Sequence, residues 1–457
     1  MTVAARLSEF VVKTRLEDCP RVALLHVRRA ALDTLGVVLA GSGEPVARAV
    51  REVARAEGGV PLCTVLGTSL RTSATWAALA NGTAGHAHDF DDTSFAWMGH
   101  PSVPLFSAAL AVAEAEPADG AAVALAYLIG FEVGAALGTA LNPGHYTRGW
   151  HATATVGTLA CTAAAARLLG LDLARCRHAF GLAASLASGV KENFGTMAKP
   201  YHAGHAARNG VLAALLARAG LTAADTALEG RQGYLAAAGN GPRAEALAAA
   251  VDALGRRWQV VDSGVAVKPY PSCALTHAAI DALLALRQRH GLTPDAVAEV
   301  EVGVSAVTPD VLVYDVPRTA LERKFSMPFC AAAALGYGRV DLDLFEDGPV
   351  RDPAIRALME RVRLVVDPAL PPGPEQHAWS RVTVRLVDGR TLVCPPQGAR
   401  GHPDQPLDET ALRAKFLACA AGVLPPGEAE GVAAQLAEFE AIPDIRVLTG
   451  RLAADRD

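Results

Sequence analysis

Apolar residues recur at three- and four-residue spacing through most of the first 260 residues, and this pattern limits the possible folds more than any other feature. The spacing is clearest at residues 21–41, 101–116 and 207–220, and each of these segments ends at or beside a glycine or a proline. Several segments are apolar on more than one face, which is typical of helices buried inside a large bundle. The first part of the chain is therefore predicted to form a helical domain.

A second pattern begins after about residue 265, where short runs alternate apolar and polar residues with period two. Asp388-Gly389 indicates a hairpin, because this pair favours the tight turn that joins two antiparallel strands. The predicted strands lie at residues 296–307, 362–366 and 379–394, and the last range holds both strands of the hairpin.

Helical spacing returns at residues 408–424, so the C-terminal part of the chain is expected to rejoin the first domain. We predict a mainly α fold, with an all-α helical domain formed by both chain ends, residues 1–265 plus 401–457. An α+β domain is predicted to be inserted at residues 266–400. A cleft between two such domains is a usual place for a small-molecule site.

Composition excludes several classes of partner. The 42 basic and 47 acidic residues leave a net charge of −5, which offers no positive field to nucleic acid or anionic lipid. Eight cysteines are scattered without a Cys-x-x-Cys pair, which is typical of reduced cytoplasmic proteins. The first twenty residues lack the apolar core of a signal peptide, and the apolar run at 121–131 is too short to span a bilayer. We expect a cytoplasmic protein that binds neither nucleic acid nor membrane.

The stretch GHAHDFDDTSFAWMGHPS, residues 85–102, concentrates histidine and aspartate within apolar surroundings. A metallo-hydrolase pattern His-x-His-x-Asp-His fails, because Phe90 and Asp91 stand where aspartate and histidine belong. A diphosphate-binding Asp-Asp-x-x-Asp pattern fails at its third aspartate. Two interpretations stay open on these residues: a helix cap formed by Asp91, Asp92 and Thr93, or the acid and base of an active site.

Lysine is rare in this chain, since six lysines stand against 36 arginines. Lys199, Lys268 and Lys324 all fall in polar, turn-rich segments, and a lysine kept in an arginine-rich chain indicates a specific need for an ammonium group. Residues 191–210 are interpreted as a loop, broken by glycine and proline, that precedes a helix and offers Lys191, Lys199, His202 and His205.

Six motifs occur in an order and spacing that resemble the MmgE/PrpD family, which includes 2-methylcitrate dehydratase, cis-aconitate decarboxylase and iminodisuccinate epimerase. The motifs are NGTAGHAHDFDDT, HPS, RGWHATATVG, FGTMAKPYHAGHAARNG, VKPYPSCALTH and ERKFSMPFC. The resemblance runs from about residue 5 to residue 450. It implies a helical domain built from both chain ends, an α+β lid, a homodimer, and a site between the domains that needs neither a metal nor an organic cofactor.

Matched motif by motif, the resemblance implies catalytic roles for five residues and substrate-binding roles for four. The catalytic set is Asp89, His100, His151, Lys199 and Lys268, and the substrate-binding set is Thr93, His202, Cys273 and Phe329. Asp89 is expected to orient a histidine, whereas Asp91 and Asp92 are expected to be structural. Cys273 stands where the decarboxylase pattern has a histidine, and Phe329 where it has a tyrosine. We therefore expect poor activity on cis-aconitate.

The implied chemistry builds negative charge next to a carboxylate, and fixed cations and hydrogen-bond donors must stabilise that charge. Lys199 and Lys268 are expected to hold carboxylates, while His100 and His151 titrate close enough to neutral pH to transfer protons. We predict a cofactor-independent lyase, a dehydratase or decarboxylase, that acts on a small di- or tricarboxylate. Two alternatives stay open here: an epimerase or isomerase of a dicarboxylate, and a catalytically silent family member that binds a metabolite.

Overall fold

α-Helices make up most of the computed structural model, which describes residues 1–239, 244–345, 347–370 and 378–454. The expected mainly α fold class is confirmed. The helices before residue 265 are Val3–Lys13, Arg21–Gly41, Pro45–Glu57, Ala74–His86, Ser102–Ala115, Gly120–Leu141, Gly144–Thr147, Ala152–Leu168, Leu173–Leu186, Ala198–Arg218, Tyr234–Ala238, Ala244–Ala253 and Gln259–Asp262. The later helices are His277–His290, Ala320–Arg323, Met327–Tyr337, Pro353–Met359, Glu409–Ala420, Pro426–Leu436 and Ile445–Arg451.

Helix Gly120–Leu141 is long and apolar enough to cross a membrane, judged by length and composition alone. Within its most apolar stretch, however, 89% of the residues are buried inside the protein. Glu132, in the middle of this helix, accepts hydrogen bonds from the backbone N–H groups of Gln259 and Val260. The helix is therefore packed as a central element of the core.

Two glycines let a pair of helices touch backbone to backbone. A Cβ added to Gly82 would lie 2.7 Å from the Cα of Gly204, so helices Ala74–His86 and Ala198–Arg218 pack closely at this point. The contact brings the end of the first helix beside the beginning of the second, where Lys199 lies. The absence of side chains at Gly82 and Gly204 therefore allows the close packing that brings Lys199 next to His86.

The interpretation of residues 191–210 as a loop ahead of a helix is wrong for its second half. Lys199 and His202 both lie within helix Ala198–Arg218. Pro200 is tolerated there because it belongs to the first helical turn, whose N–H groups have no partner within the helix.

Four strands form one sheet, in the spatial order Val362–Val366, Val297–Val304, Ser380–Leu386 and Thr391–Gln397. The first two strands run parallel, and the other two neighbouring pairs are antiparallel. Gly389 has a φ of +89°, a conformation that glycine adopts without strain, at the turn between the last two strands. The predicted strands and hairpin are confirmed. Two short strands, Cys63–Thr64 and Arg71–Thr72, pair separately.

Buried apolar side chains form two large clusters. One cluster draws on residues 4–267 and again on residues 407–452, and we call this part the helical region. The other draws on residues 270–386 and is called the sheet region. Both chain ends thus contribute to one core, while the domain limits expected at residues 265 and 401 stay a prediction.

Helix Glu409–Ala420, near the end of the chain, supports a loop that belongs to the first hundred residues. Lys415 on this helix forms a buried ion pair with Asp33 and donates a 2.7 Å hydrogen bond to the carbonyl of Phe90. The second contact fixes the backbone of the polar stretch between residues 87 and 101. The last part of the chain therefore helps to position the residues described next.

Candidate active site

A cavity of about 120 Å³ lies between the helical region and the sheet region. Its polar lining consists of Asp89, Thr93, Ser94, His100, Tyr146, His151, Lys199, Lys268 and Cys273. Its apolar lining consists of Phe95, Met98, Gly99, Phe194, Ala274, Leu275, Val307, Val311, Phe325 and Ala378. Seven of the nine residues predicted for the site therefore line one cavity.

Asp89 lies among the polar groups in a left-handed backbone conformation, with a φ of +49°. This conformation is uncommon for a residue with a side chain and persists only where neighbouring contacts hold it. Lys268 Nζ donates hydrogen bonds to the Asp89 carbonyl and to its Oδ1, both at 2.8 Å. One ammonium thus fixes both the backbone and the carboxylate of Asp89.

Two buried lysines meet on the same oxygen of Asp89. Lys199 Nζ also donates to Asp89 Oδ1 at 2.8 Å, and it lies 3.0 Å from His86 Nε2. Burial alone would raise the pKa of the Asp89 carboxyl, but the two ammonium groups and the nearby His100 hold that pKa well below its usual range. Asp89 is therefore a carboxylate at neutral pH.

Asp91 connects two histidines behind this lysine pair. Its carboxylate oxygens lie 2.8 and 2.9 Å from His86 Nδ1, and Oδ2 lies 3.2 Å from His100 Nδ1. Burial would raise the pKa of Asp91, but His100 and His86 hold it well below its usual range. A carboxylate accepts hydrogen bonds only, so we assign the Nδ1–H tautomer to His86. Its Nε2 lone pair then accepts from Lys199.

The histidines of the site are neutral near pH 7, because burial removes the hydration that the imidazolium form requires. Burial lowers the pKa of His86 to about 4 and is also the main cause that lowers the pKa of His100. Burial, followed by His202 and Lys199, holds the pKa of His151 well below its usual range. The rings of His100 and His151 lie 6.4 Å apart at an interplanar angle of 78°. Two neutral imidazoles thus face one cavity.

Two predicted substrate-binding residues do not line the cavity. His202 Nδ1 lies 3.0 Å from His151 Nδ1, so His202 contacts a histidine of the site from outside the lining. Phe329 is buried in the sheet region, where its ring lies 5.5 Å from that of Phe345. Neither side chain is placed for direct contact with a molecule in the cavity.

Cys273 does line the cavity, and its thiol is protonated near neutral pH because burial and then Asp89 raise its pKa to about 11.

Thr93 lines the cavity as well, and its backbone pairs with that of Ala266. This pairing is antiparallel, so Thr93 does not begin a helix and the helix-cap interpretation is wrong for it. Asp92 does contact the start of a helix: its Oδ1 accepts a hydrogen bond from the backbone N–H of Ser102, the first residue of helix Ser102–Ala115.

Sequence reasoning missed His86 and did not assign Asp91 to the site. His86 is the last residue of helix Ala74–His86, and Asp91 follows in the loop five residues later. Their hydrogen bond depends on the turn at Asp89, which the residue types do not reveal. The high density of histidine and aspartate at residues 86–92 was the available signal.

Four of these groups could also be considered as metal ligands. His86, Asp89, Asp91 and His100 offer ligand atoms that all lie within 4.8 Å of one another. Two ammonium groups already contact Asp89 Oδ1, and a divalent cation at that oxygen would face both positive charges. The donor set therefore suits hydrogen bonding with lysine better than metal coordination.

Comparison with known proteins gives matches along nearly the whole chain. The MmgE/PrpD N-terminal domain matches residues 5–247, and the MmgE/PrpD C-terminal domain matches residues 270–438. Cis-aconitate decarboxylase of Mus musculus is 31% identical over 435 residues, which cover 92% of this chain and 87% of the relative. The Homo sapiens cis-aconitate decarboxylase is 30% identical over 436 residues, with coverage of 92% and 88%. A cis-aconitate decarboxylase-like protein of Aspergillus oryzae is 26% identical over 481 residues, with coverage of 99% and 98%.

Proposed function

The chain belongs to the MmgE/PrpD family and is an enzyme of the lyase type, and from this premise we propose a cofactor-independent dehydratase or decarboxylase that acts on a small di- or tricarboxylate. One observation carries the proposal: Lys199 and Lys268 meet on Asp89 in a cavity that His100 and His151 also line. Cations and proton-transfer groups are thus available at one place. We further propose that the sheet region acts as a lid over this cavity.

The lysine pair supports the charge that develops during the reaction. Loss of carbon dioxide leaves an electron pair on the carbon next to a remaining carboxylate, and loss of water begins with removal of a proton from such a carbon. Both routes spread negative charge into that carboxylate. Lys199 and Lys268, buried and held by Asp89, can meet this charge without reorganisation of solvent.

His100 and His151 supply the proton transfers in this proposal. In a dehydration, a neutral imidazole accepts the proton of the substrate carbon, and the imidazolium that forms protonates the departing hydroxyl group. In a decarboxylation no C–H proton is removed, and a histidine that has taken a proton from solvent protonates the carbanion left by loss of carbon dioxide. Asp91, 3.2 Å from His100 Nδ1, would stabilise that imidazolium. His100 is therefore the favoured base, and His151 the second proton-transfer group.

An epimerase or isomerase is a second candidate, favoured by the presence of two imidazoles in one cavity. Two bases placed on different sides of a carbon can remove a proton from one face and return a proton to the other. His100 and His151 both line the cavity, with ring centroids 6.4 Å apart. An unchanged mass with inverted stereochemistry would distinguish this reaction from loss of water or carbon dioxide.

We propose a homodimer in the cytoplasm that binds a small carboxylate and neither nucleic acid nor membrane. A set of exposed apolar side chains supports the dimer: Val190, Met197, Val313 and Val316. These side chains flank the contact in which the hydroxyl group of Tyr314 donates to the carbonyl of Phe194. Eight cysteines without a disulfide support a reducing compartment. Light scattering at micromolar concentration tests the dimer, and a monomer would contradict it.

The activity can be tested in deuterium oxide with a panel of cis-aconitate, 2-methylcitrate and alkyl-substituted maleates, followed by proton NMR. Cis-aconitate belongs in the panel because the relatives carry its name, although Cys273 leads us to expect slow turnover. We expect loss of water or carbon dioxide from at least one acid, with deuterium incorporated next to a carboxylate. The absence of both turnover and exchange across the panel would contradict the proposed function.

A further inference from the structure

The positive charge that reaches the cavity is small and is concentrated at one point. Among the described residues, the lining contains two lysines and no arginine, although the chain has 36 arginines. Lys199 and Lys268 each lie 2.8 Å from the same oxygen of Asp89, so their nitrogens are at most twice that distance apart. The two ammonium groups therefore form a single cationic position rather than two separate ones.

The hydrogen-bonding capacity of this position suits one carboxylate. An ammonium group has three N–H donors. Lys199 uses two of them on Asp89 and His86, and Lys268 uses two on the carbonyl and carboxylate of Asp89. One donor is left on each lysine, which matches the two oxygens of one substrate carboxylate.

In the part of the chain that the structure describes, the neighbouring Lys324 and Lys191 do not add a second cationic position to the lining. Lys324 donates to the carbonyl of Pro271 and lies over the ring of Phe345, outside the lining. Lys191 lies 3.8 Å from the ring centroid of Tyr146 and is also outside the lining. With neutral histidines, the two cavity lysines are balanced by Asp89 and by Asp91 behind it. A trianion would therefore enter a buried site with almost no excess positive charge, which is costly.

Apart from the nine polar residues named above, the lining is apolar, and it draws on both regions. Its larger side chains are Phe95, Met98 and Phe194 from the helical region and Leu275, Val307, Val311 and Phe325 from the sheet region. Such a wall gains free energy by covering an alkyl group and offers no partner to a further carboxylate.

We propose that the substrate is a dicarboxylic acid with an uncharged alkyl arm, in which the alkyl group occupies the position of the third carboxylate of a tricarboxylate. One carboxylate is held by Lys199 and Lys268, and the alkyl arm packs against the apolar wall. The inference rests on the proposed function and narrows its substrate class. It also assigns a specificity-determining role to Val307, which is half-buried at this wall.

Two unreactive ligands of matched shape test the inference by binding alone. Tricarballylate and 2-isobutylsuccinate share a succinate core and differ in one arm, which ends in a carboxylate in the first and in two methyl groups in the second. Calorimetry with the full chain should give a dissociation constant at least about tenfold lower for 2-isobutylsuccinate. Equal or tighter binding of tricarballylate, or no binding of either ligand at millimolar concentration, would overturn the inference.

A charge placed on the apolar wall should reverse the preference. Val307→Lys is expected to favour tricarballylate, while the matched control Val307→Leu keeps the preference for 2-isobutylsuccinate. Leu275→Lys, at a second half-buried wall position, provides an independent variant if the first does not fold. An unchanged preference in the folded lysine variants would also overturn the inference.

Failure of this inference is distinguishable from failure of the proposed function. Turnover of cis-aconitate together with preferred binding of tricarballylate would contradict the alkyl-substituted substrate but support the lyase activity. Preferred binding of 2-isobutylsuccinate without turnover of any acid would contradict the lyase activity but support the preference for an alkyl arm.

Discussion

The two regions that face the cavity differ in the kind of side chain they contribute. The helical region provides most of the charged and imidazole groups, each held by other polar groups, and part of the apolar lining: Asp89, His100, His151 and Lys199, with Phe95, Met98 and Phe194. Among the described residues, the sheet region provides apolar side chains and Cys273, whose thiol is protonated near neutral pH. Lys268 lies in the connection between the two cores. The contrast indicates that one region performs the chemistry and the other selects the substrate.

The largest effect is expected at the histidines of the helical region. His100→Gln and His151→Gln keep polarity and much of the side-chain volume but remove the titrating group. Each should lower kcat by roughly 10²- to 10⁴-fold, the usual contribution of general acid or base catalysis. In the sheet region, Val311→Ala should change kcat by less than about tenfold and act mainly on KM. Steady-state kinetics that show the reverse order would break the contrast between the regions.

Removal of an ammonium group from the cavity should have the next largest effect. Lys199→Met and Lys268→Met keep the apolar stem, so each should lower kcat/KM by roughly 10- to 100-fold through loss of a charged hydrogen bond. Lys324→Met is the matched control, since Lys324 is equally buried but lies outside the lining. Equal losses of kcat/KM in all three variants would show that the effect is structural.

Asp91 is a positioning residue, and its substitution should change the pH profile as well as the rate. The carboxylate favours the imidazolium form of His100, so Asp91→Asn should lower the His100 pKa further. The acidic limb of kcat/KM, already below pH 6.5 because burial lowers that pKa, should move to lower pH. The plateau should fall about tenfold, because a weaker base remains. An acidic limb that stays in place would contradict the proposed link between Asp91 and His100.

A smaller effect is expected at Cys273, the polar side chain of the sheet region. The unmodified chain should act poorly on cis-aconitate, because a thiol cannot supply an imidazolium charge near neutral pH. Cys273→His should raise kcat/KM for this acid several-fold, with Cys273→Asn as an uncharged control of similar polarity. Efficient production of itaconate by the unmodified chain would contradict the prediction.

The smallest effect is expected from removal of divalent metal. Prolonged chelation should leave activity unchanged, because lysine ammonium groups contact the oxygen of Asp89 that a metal ion would use. Loss of activity that one divalent ion restores would assign His86, Asp89, Asp91 and His100 to a metal site instead.

The sequence was sufficient to predict the mainly helical class and the strands after residue 296, because periodicity reports on local structure. The resemblance of its motifs to a known family, rather than periodicity, pointed to seven residues that line the cavity. The sequence was not sufficient to predict the partners of those residues. The contact between His86 and Lys199 depends on the close crossing at Gly82 and Gly204, which joins segments far apart in the chain. Phe329 was expected to bind substrate from its motif, but its helix directs the ring into the core of the sheet region.

The rarity of lysine proved to be an informative signal. Four of the six lysines are buried, namely Lys199, Lys268, Lys324 and Lys415. Each contacts a carboxylate or a backbone carbonyl. Residue types alone, however, did not separate the two lysines of the cavity from the two that hold the structure around it.

Hydrogen exchange at the substrate carbon tests the central claim most directly, because it reports proton transfer without completion of the reaction. With a true substrate in deuterium oxide, the unmodified enzyme and Val311→Ala should both incorporate deuterium, and His100→Gln should not. His178→Gln, at a half-buried histidine outside the cavity, provides the matched control and should exchange normally. Full exchange in both His100→Gln and His151→Gln would contradict the assignment of proton transfer to the helical region.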